Sequence, residues 1–249
     1  MDTTIKQIED MSLNAWPSHK MELYDGWIIR FSYFYTHRTN SVEQFGTTTL
    51  PWREKILYCE NLYKRLGSPA VFKISPLVSE NFDFMLENRG YEIQHETEVM
   101  TLALNDAVLS EDFSDVCFSD VITEEWIQAL FDLKRTTSEV HRQVVPSMYH
   151  AIMKETVAAF IRIEGQIVAT GLGILDRDYI GIYAIHVRED YRRKGFARRI
   201  CSGLLKAGLT RGAVNAYLQV VKDNASAMSL YESLGFQKYY SYWFRVKEV

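Results

Sequence analysis

Cysteine is scarce in this chain: Cys59, Cys117 and Cys201 are the only three in 249 residues. They are odd in number and far apart, and no CxxC or Cys/His spacing of a metal site accompanies them. A disulfide framework and a structural zinc site are thereby excluded, and a reducing compartment, the cytoplasm, is expected. Long apolar runs are missing too. None approaches the roughly 20 residues that cross a bilayer. Residues 1–20 alternate charged and apolar positions, where a signal peptide needs a continuous apolar stretch. Nor is positive charge in excess, with 28 Lys and Arg against 32 Asp and Glu for a net charge of -4. A global electrostatic hold on nucleic acid is not expected from that balance.

What is present is ordinary globular material. Hydrophobic residues make up 47% and charged residues 24%, and 15 Tyr, 13 Phe and 5 Trp supply bulk for a core. At roughly 150 residues per domain, the length fits two modest domains. An internal echo supports that division. Leu86–Ile93 reads against Tyr231–Lys238: a short helix ends at Gly90 or Gly235, an aromatic follows at once, and a strand comes next. Glycine there lets a helix leave through a left-handed cap, and the aromatic after it plugs the core. The offset is 235 − 90 = 145 residues. The turn-prone acidic stretch Asn105–Asp120, with Ser110-Glu111-Asp112-Phe113-Ser114-Asp115 inside it, marks the boundary. Residues 1–108 then form one domain and 109–249 the other.

The second half parses more readily. Thr123-Glu124-Glu125 has the form of an N-cap with early acids, opening a helix to about Lys134. A second helix is expected after Pro146, over Ser147–Glu155. Ala158–Glu164 and Gln166–Leu175, split by Gly165, read as a hairpin. Tyr179–Val187 and Val214–Val221 read as strands, Ala197–Thr210 and Ala225–Ser233 as helices, and Phe236–Val246 as a strand broken near Ser241. The outcome is an α/β domain with a mixed sheet. In the first half, Asp10–Trp16 and Arg53–Arg65 are expected as helices, Gly26–Tyr35 and Val71–Ile74 as strands.

Chemistry concentrates in Val187–Ala197. Arg192, Arg193, Lys194, Arg198 and Arg199 place five cations within eight positions at the start of a helix, where positive charge opposes the macrodipole. An exposed basic helix start is one account. The other is an anion held there by backbone N–H groups, the helix N-terminus and the guanidiniums together. Gly195 permits close backbone approach, and small Ala197 keeps the first turn near the bound group.

The stretch Arg192-x-x-Gly195-x-Ala197 resembles the Arg/Gln-x-x-Gly-x-Gly/Ala loop of the GCN5-related N-acetyltransferases, the GNAT superfamily. Ile182–Val187 resembles that family's fourth strand. Asn224-x-x-Ala227 with Tyr231-x-x-x-Gly235-Phe236 resembles its closing segment. The likeness covers about Val116 to Val249, and it implies the acyl-CoA N-acyltransferase (GNAT) fold with acetyl-CoA as cosubstrate and no metal. By that resemblance, backbone groups of Ile185, His186 and Val187 hold the pantetheine arm. Amides from Arg192, Arg193, Lys194, Gly195, Phe196, Ala197 and Arg198 hold the pyrophosphate. Asn224 bonds near the cofactor arm or caps the helix at Ala225, and the two roles can coexist. Tyr231 protonates the departing thiolate; packing on the buried face of its helix is the structural alternative.

The resemblance names no general base. A strand-four carboxylate is looked for near Gly181, which has no side chain; Tyr183 shares its face, and Asp176 and Asp178 precede it. His186 is expected on the opposite face. Glu139, His141 and Arg142 follow the first helix of this half, where relatives shape the acceptor site. The first half resembles the opening of bacterial tandem GNAT proteins through Leu13–Pro17, Asp25–Arg30 and Arg38–Val42, but it reads as degenerate. At the 145-residue offset Leu86 replaces Tyr231, Ser79 replaces Asn224, and Pro51 removes an amide where a phosphate cradle needs one. Trp16, Trp27, Tyr33 and Tyr35 are expected to be buried aromatics. The function implied is transfer of an acetyl group from acetyl-CoA to an amine, by direct attack in a ternary complex. An acyl-CoA-binding regulatory module is the alternative. No nucleic acid or membrane partner is expected; the acceptor and the oligomeric state, a homodimer included, stay open.

Overall fold

The computed structural model describes residues 3–105 and 112–249. The first half runs α1 (Thr3–Ala15), β1 (Lys20–Tyr24), β2 (Trp27–Phe31), β3 (Val42–Gln44), α2 (Trp52–Arg65), β4 (Ala70–Ile74), α3 (Glu80–Asn88) and β5 (Glu92–Ala103). The second runs β6 (Val116–Ser119), α4 (Glu124–Leu133), α5 (Glu139–His150), β7 (Glu155–Ile163), β8 (Gln166–Asp176), β9 (Tyr179–Val187), α6 (Phe196–Thr210), β10 (Asn215–Val221), α7 (Ala225–Ser233) and β11 (Gln237–Lys247). The echo seen in the sequence is structural. Ala70, Glu80 and Glu92 open β4, α3 and β5, each 145 residues before Asn215, Ala225 and Gln237, which open β10, α7 and β11. Both short helices end alike. Gly90 (φ +81°) and Gly235 (φ +94°) take the left-handed conformation, and the amides of Tyr91 and Phe236 return to Leu86 and Tyr231 carbonyls at 3.1 and 3.0 Å. Both aromatics are buried.

The described strands form one eleven-stranded sheet in the order β1-β2-β3-β4-β11-β5-β10-β9-β8-β7-β6. The halves exchange their last strands. β11 pairs antiparallel with β4 and β5, while β5 pairs antiparallel with β10. Two register shifts interrupt β11, between Lys238 and Tyr240 and between Tyr242 and Phe244, close to the break expected near Ser241. One core packs α6 and α7 over β7–β10; another packs α2 and α3 over β2, β3 and β4. Across the first half's other face lies a buried charge cluster. Lys73 Nζ is 2.6 Å from Glu9 Oε2 and 3.7 Å from Glu43 Oε2, Arg30 is 3.6 Å from Glu43 Oε1, and Tyr240 donates to Glu9 at 2.6 Å.

Two expectations need correction. The helix expected over Ser147–Glu155 is instead α5, Glu139–His150, with Pro146 inside it. The start signal is Ser138, whose hydroxyl accepts from the His141 amide at 3.3 Å, so the proline is an interior residue and not an opening one. The boundary expected between residues 108 and 109 falls among residues 106–111, outside the described residues; the rest of the stretch around it includes β6. The strand expected over Gly26–Tyr35 stops at Phe31, because Tyr33 and Phe34 turn to positive φ.

Candidate active site

β9 and β10 pair in parallel only from Tyr179↔Asn215 to Ile182↔Leu218. Beyond that register they diverge, and the backbone of Tyr183–Val187 faces a gap. A bulge lies in the diverging stretch. Leu172 pairs with Tyr183 and Thr170 with His186, so Ala184 and Ile185 together face the single residue Gly171. Ala184 takes φ +51°, and its carbonyl accepts from Thr170 Oγ1 at 3.1 Å. Glycine at 171 is what permits this. A Cβ there would lie 2.4 Å from Ile200 Cγ2 and 2.8 Å from Ile185 Cδ1. The bulge also corrects the expected direction of His186. Its partner Thr170 and the partner of Tyr183, Leu172, are two apart on β8, so His186 shares a face with Tyr183.

The loop after β9 turns through Arg193 (φ +63°) and Gly195 (φ +80°) into α6. The helical bonding starts with Arg199 N to Gly195 O at 3.0 Å. The amides of the turn before it have no intrahelical acceptor, as at any helix start. Among the basic side chains, Arg192 Nε reaches the Val187 carbonyl at 3.3 Å, Arg198 reaches Ser233 Oγ at 2.6 Å, and Arg199 pairs with Asp115 at 2.9 Å.

Gap and loop open into one cleft of about 800 Å³. Ile185, His186, Val187, Arg192, Arg193, Gly195, Phe196, Ala197, Arg198, Asn224 and Tyr231 all line it. Lys194 does not; its ammonium lies 4.6 Å over the Tyr191 ring. No carboxylate occurs among the described lining residues. Asn224 caps α7, its carbonyl oxygen accepting from the Ala227 amide at 3.2 Å, and it faces the cleft as well. Tyr231 is nearly buried, 6.1 Å from the Phe236 ring in an edge contact. Burial pushes its phenol well up, and its hydroxyl makes no hydrogen bond among the described residues. Burial, with the charges of Lys134 and Arg192, holds His186 down at about 4, so its imidazole is neutral at pH 7. Cys201 is buried in α6, its thiol pushed up by burial to about 12.

No base appears where a strand-four carboxylate is expected. The room left by Gly181 is filled by Tyr183 and Tyr217, whose ring carbons lie 2.6 and 2.8 Å from where a Cβ would sit and whose hydroxyls bond each other. Asp176 is held by Asn14 and Lys154, both at 2.9 Å. Asp178 accepts from Asn215 at 3.2 Å. His141 bonds the Tyr33 carbonyl at 2.8 Å, Arg142 bonds the Thr136 carbonyl at 2.9 Å, and Glu139 is exposed in the first turn of α5. Of the first half's aromatics, Trp27 is fully buried. Trp16 packs 4.8 Å from Tyr149, Tyr35 is half-buried, and Tyr33 is exposed.

The first half's counterpart of the loop is already filled from within. The amides of Thr49 and Leu50, just before α2, donate to the Asp25 carboxylate at 2.9 Å each, and the Thr49 hydroxyl does so at 2.7 Å. These hydrogen bonds, the Leu50 amide foremost, outweigh the opposing desolvation and hold Asp25 far below the usual carboxylate range. Buried Lys55 completes the pocket, 3.2 Å from Asp25. At the 145-residue offset, Thr49 and Leu50 stand where Lys194 and Gly195 do.

Two cleft residues escaped the sequence: Arg38, from a 3-10 turn at His37–Thr39 in the first half, and Gln219 on β10. Arg38 Nε donates to Tyr242 Oη at 2.8 Å, and that hydroxyl donates to Gln219 Oε1 at 3.1 Å. Arg38 lay within a resembling segment, yet nothing in its spacing could show that a residue 193 positions before Tyr231 (231 − 38) faces the same cleft.

A mixed sheet in which two neighbouring parallel strands part beside a glycine-turned helix start fits the acyl-CoA N-acyltransferase fold, and this chain is an acyltransferase of the GNAT superfamily. Residues 2–244 match the family model described as "Probable histone acetyltransferase Rv0428c C-terminal". The chain belongs to that family. It is similar to YobR of Bacillus subtilis (strain 168), described as an uncharacterized N-acetyltransferase, with 28% identity over 98% of both chains. Among solved structures it resembles a GCN5-related N-acetyltransferase from Kribbella flavida, with TM-score 0.67 and 14% identity over 99% of this chain and 95% of that one. It also resembles a tandem GNAT protein from the clavulanic acid biosynthesis pathway, with TM-score 0.62 and 12% identity over 83% of this chain and 74% of that one.

Proposed function

We propose that the enzyme transfers an acetyl group from acetyl-CoA to an amine, by direct attack in a ternary complex, at one site in the second half. The carrying observation is that the parted strands, the Gly195 turn and Tyr231 all face a single cleft. Acetyl-CoA, when bound, supplies an acyl group already activated as a thioester. Backbone groups of Ile185, His186 and Val187 hold its arm, and the α6 turn with Arg192, Arg193 and Arg198 holds its pyrophosphate. Lys194, turned onto Tyr191, contributes its amide. Asn224 has its carbonyl oxygen engaged in the cap, so its amino group is the part left to the ligand. Tyr231 keeps its proton because it is buried, and no group among the described residues accepts that proton. It is therefore placed to give it to a thiolate as one develops.

The boundary near residue 108 makes residues 1–108 a degenerate domain, whose anion cradle is taken by Asp25, and residues 109–249 the catalytic one. A regulatory module that binds acyl-CoA without turnover is the second reading, favoured by the lack of a carboxylate among the described residues that line the cleft. Titrating acetyl-CoA into wild type and Gly195→Glu by calorimetry, then screening thiol release against pooled amines, separates the two. Binding lost in Gly195→Glu, with release abolished by Tyr231→Phe, supports the enzyme. Binding without release from any pool supports the module, and no binding to wild type overturns both.

A further inference from the structure

The end of the cleft away from the phosphate turn carries an unbalanced cation. Arg38 uses Nε on Tyr242, yet its two terminal nitrogens make no hydrogen bond and no ion pair among the described residues. They are not sealed in the core: Arg38 is half-buried and lines the cleft. It lines the same cleft as Tyr183 and Tyr231. Beside it, Gln219 carries a buried Nε2 with no partner. The charge of Arg38 acts on Lys134, whose ammonium is 2.7 Å from Tyr35 Oη and in no ion pair among the described residues. A half-buried guanidinium costs free energy unless an anion faces it. The fork of Arg38 matches a carboxylate in two-point contact. The described residues that line the cleft offer none.

We propose that the acceptor is an amine that carries its own carboxylate, an amino acid or a short peptide with the two groups close together, and that Arg38 of the first half binds that carboxylate. The proposal rests on the acetyl transfer proposed above. It gives the degenerate half a function: it supplies the specificity that the second half lacks. With the carboxylate held at Arg38, the amine is directed toward the parted strands. Tyr242 then acts as a positioning residue, since it holds the guanidinium by its Nε and leaves the fork free.

The test is thiol release with matched pairs: each common amino acid against its amide, alanyl-alanine against its amide, and a lysine-rich peptide as a basic control. Acetyl-CoA affinity is measured separately by calorimetry on the same full chain. Wild type is expected to favour the carboxylate member of at least one pair by roughly 10- to 100-fold in kcat/KM, the range for a charge-assisted hydrogen bond. Arg38→Gln should erase that preference through KM while acetyl-CoA affinity stays put. Arg38→Glu should turn the preference toward amides and diamines, a gain that a merely misfolded variant cannot show. Equal rates for acid and amide, release with the lysine-rich peptide alone, or no release at all from protein that binds acetyl-CoA each overturn the carboxylate assignment. So does an intact preference in Arg38→Gln accompanied by weakened acetyl-CoA binding. Failure of wild type to bind acetyl-CoA is a different result, and it removes the donor site on which the proposal stands.

Discussion

Replacing Lys73 with methionine should cost about 3–5 kcal/mol at neutral pH, and the cost should shrink in mild acid. Lys73 is buried on β4, 2.6 Å from Glu9 and 3.7 Å from Glu43, and among the described residues the cluster's other cation, Arg30, sits 3.6 Å from Glu43. Two carboxylates and two cations balance; methionine fills the stem's volume but leaves the cluster one charge negative. Breaking a buried pair by removing one partner typically costs about 3–5 kcal/mol, because the survivor remains desolvated. Burial already raises the Glu43 carboxyl, and Lys73 is the largest influence holding it back. Without Lys73 the folded state binds a proton there more tightly than the unfolded chain does. Its stability relative to wild type therefore recovers as pH falls through the raised value, by at most about 1.4 kcal/mol per pH unit. At roughly 2–4 °C per kcal/mol for a chain of this size, Tm should drop by about 6–20 °C at pH 7.5. Urea unfolding at pH 7.5 and 5.5 measures the effect, with Lys73→Met/Glu43→Gln as the compensating double variant. A loss under about 1 kcal/mol, or a larger one that does not change with pH, would refute the balanced-cluster account.

Further expectations concern the cleft. Tyr231→Phe should lower kcat by about 10²- to 10⁴-fold with acetyl-CoA binding retained, read by single-turnover thiol release beside calorimetry. Gly171→Ala should destabilise by about 1–3 kcal/mol and weaken acetyl-CoA binding, because its Cβ drives apart Ile200 of α6 and Ile185 of the bulge; thermal melts and titration report both. His186 lies at about 4 when folded, against 6.5 unfolded, so the unfolded chain takes up its proton first. That stability is complete above pH 6.5 and lost as pH falls to about 4, a difference of about 3 kcal/mol. In His186→Gln, denaturant unfolding across that window should show a shallower decline.

The second half was legible because its signals are local. Thr123 caps α4 as its position suggests, Gly165 splits the β7–β8 hairpin, and Gly235 closes α7. That the loop before α6 and Tyr231 belong together followed from short motifs on those elements, and both line the cleft. What the sequence hid depends on contacts between distant residues. The bulge at Ala184 requires Gly171 to be overlaid by Ile200, and with it turned the side of the strand on which His186 lies. Asp25 fills the first half's cradle from 24 residues away (49 − 25). Arg38 reaches the cleft only because β11 and its Tyr242 sit within the other half's sheet. Pro146 misled for the opposite reason, since a strong local signal was outranked by the cap at Ser138.

The exchange of β5 and β11 also sets a timetable for synthesis. β4 ends at Ile74 and its neighbour β11 begins at Gln237, 163 residues later (237 − 74). At roughly 5–20 residues per second the ribosome needs about 8–30 s to bridge that interval. Throughout it β4 has an open edge, and β5 is the nearest strand already made, a pairing absent from the finished sheet. β11 must be laid between β4 and β5, both made long before it. Native assembly of the sheet therefore waits until Gln237–Lys247 has been made, and a ribosome stalled before that strand leaves an exposed edge on β4.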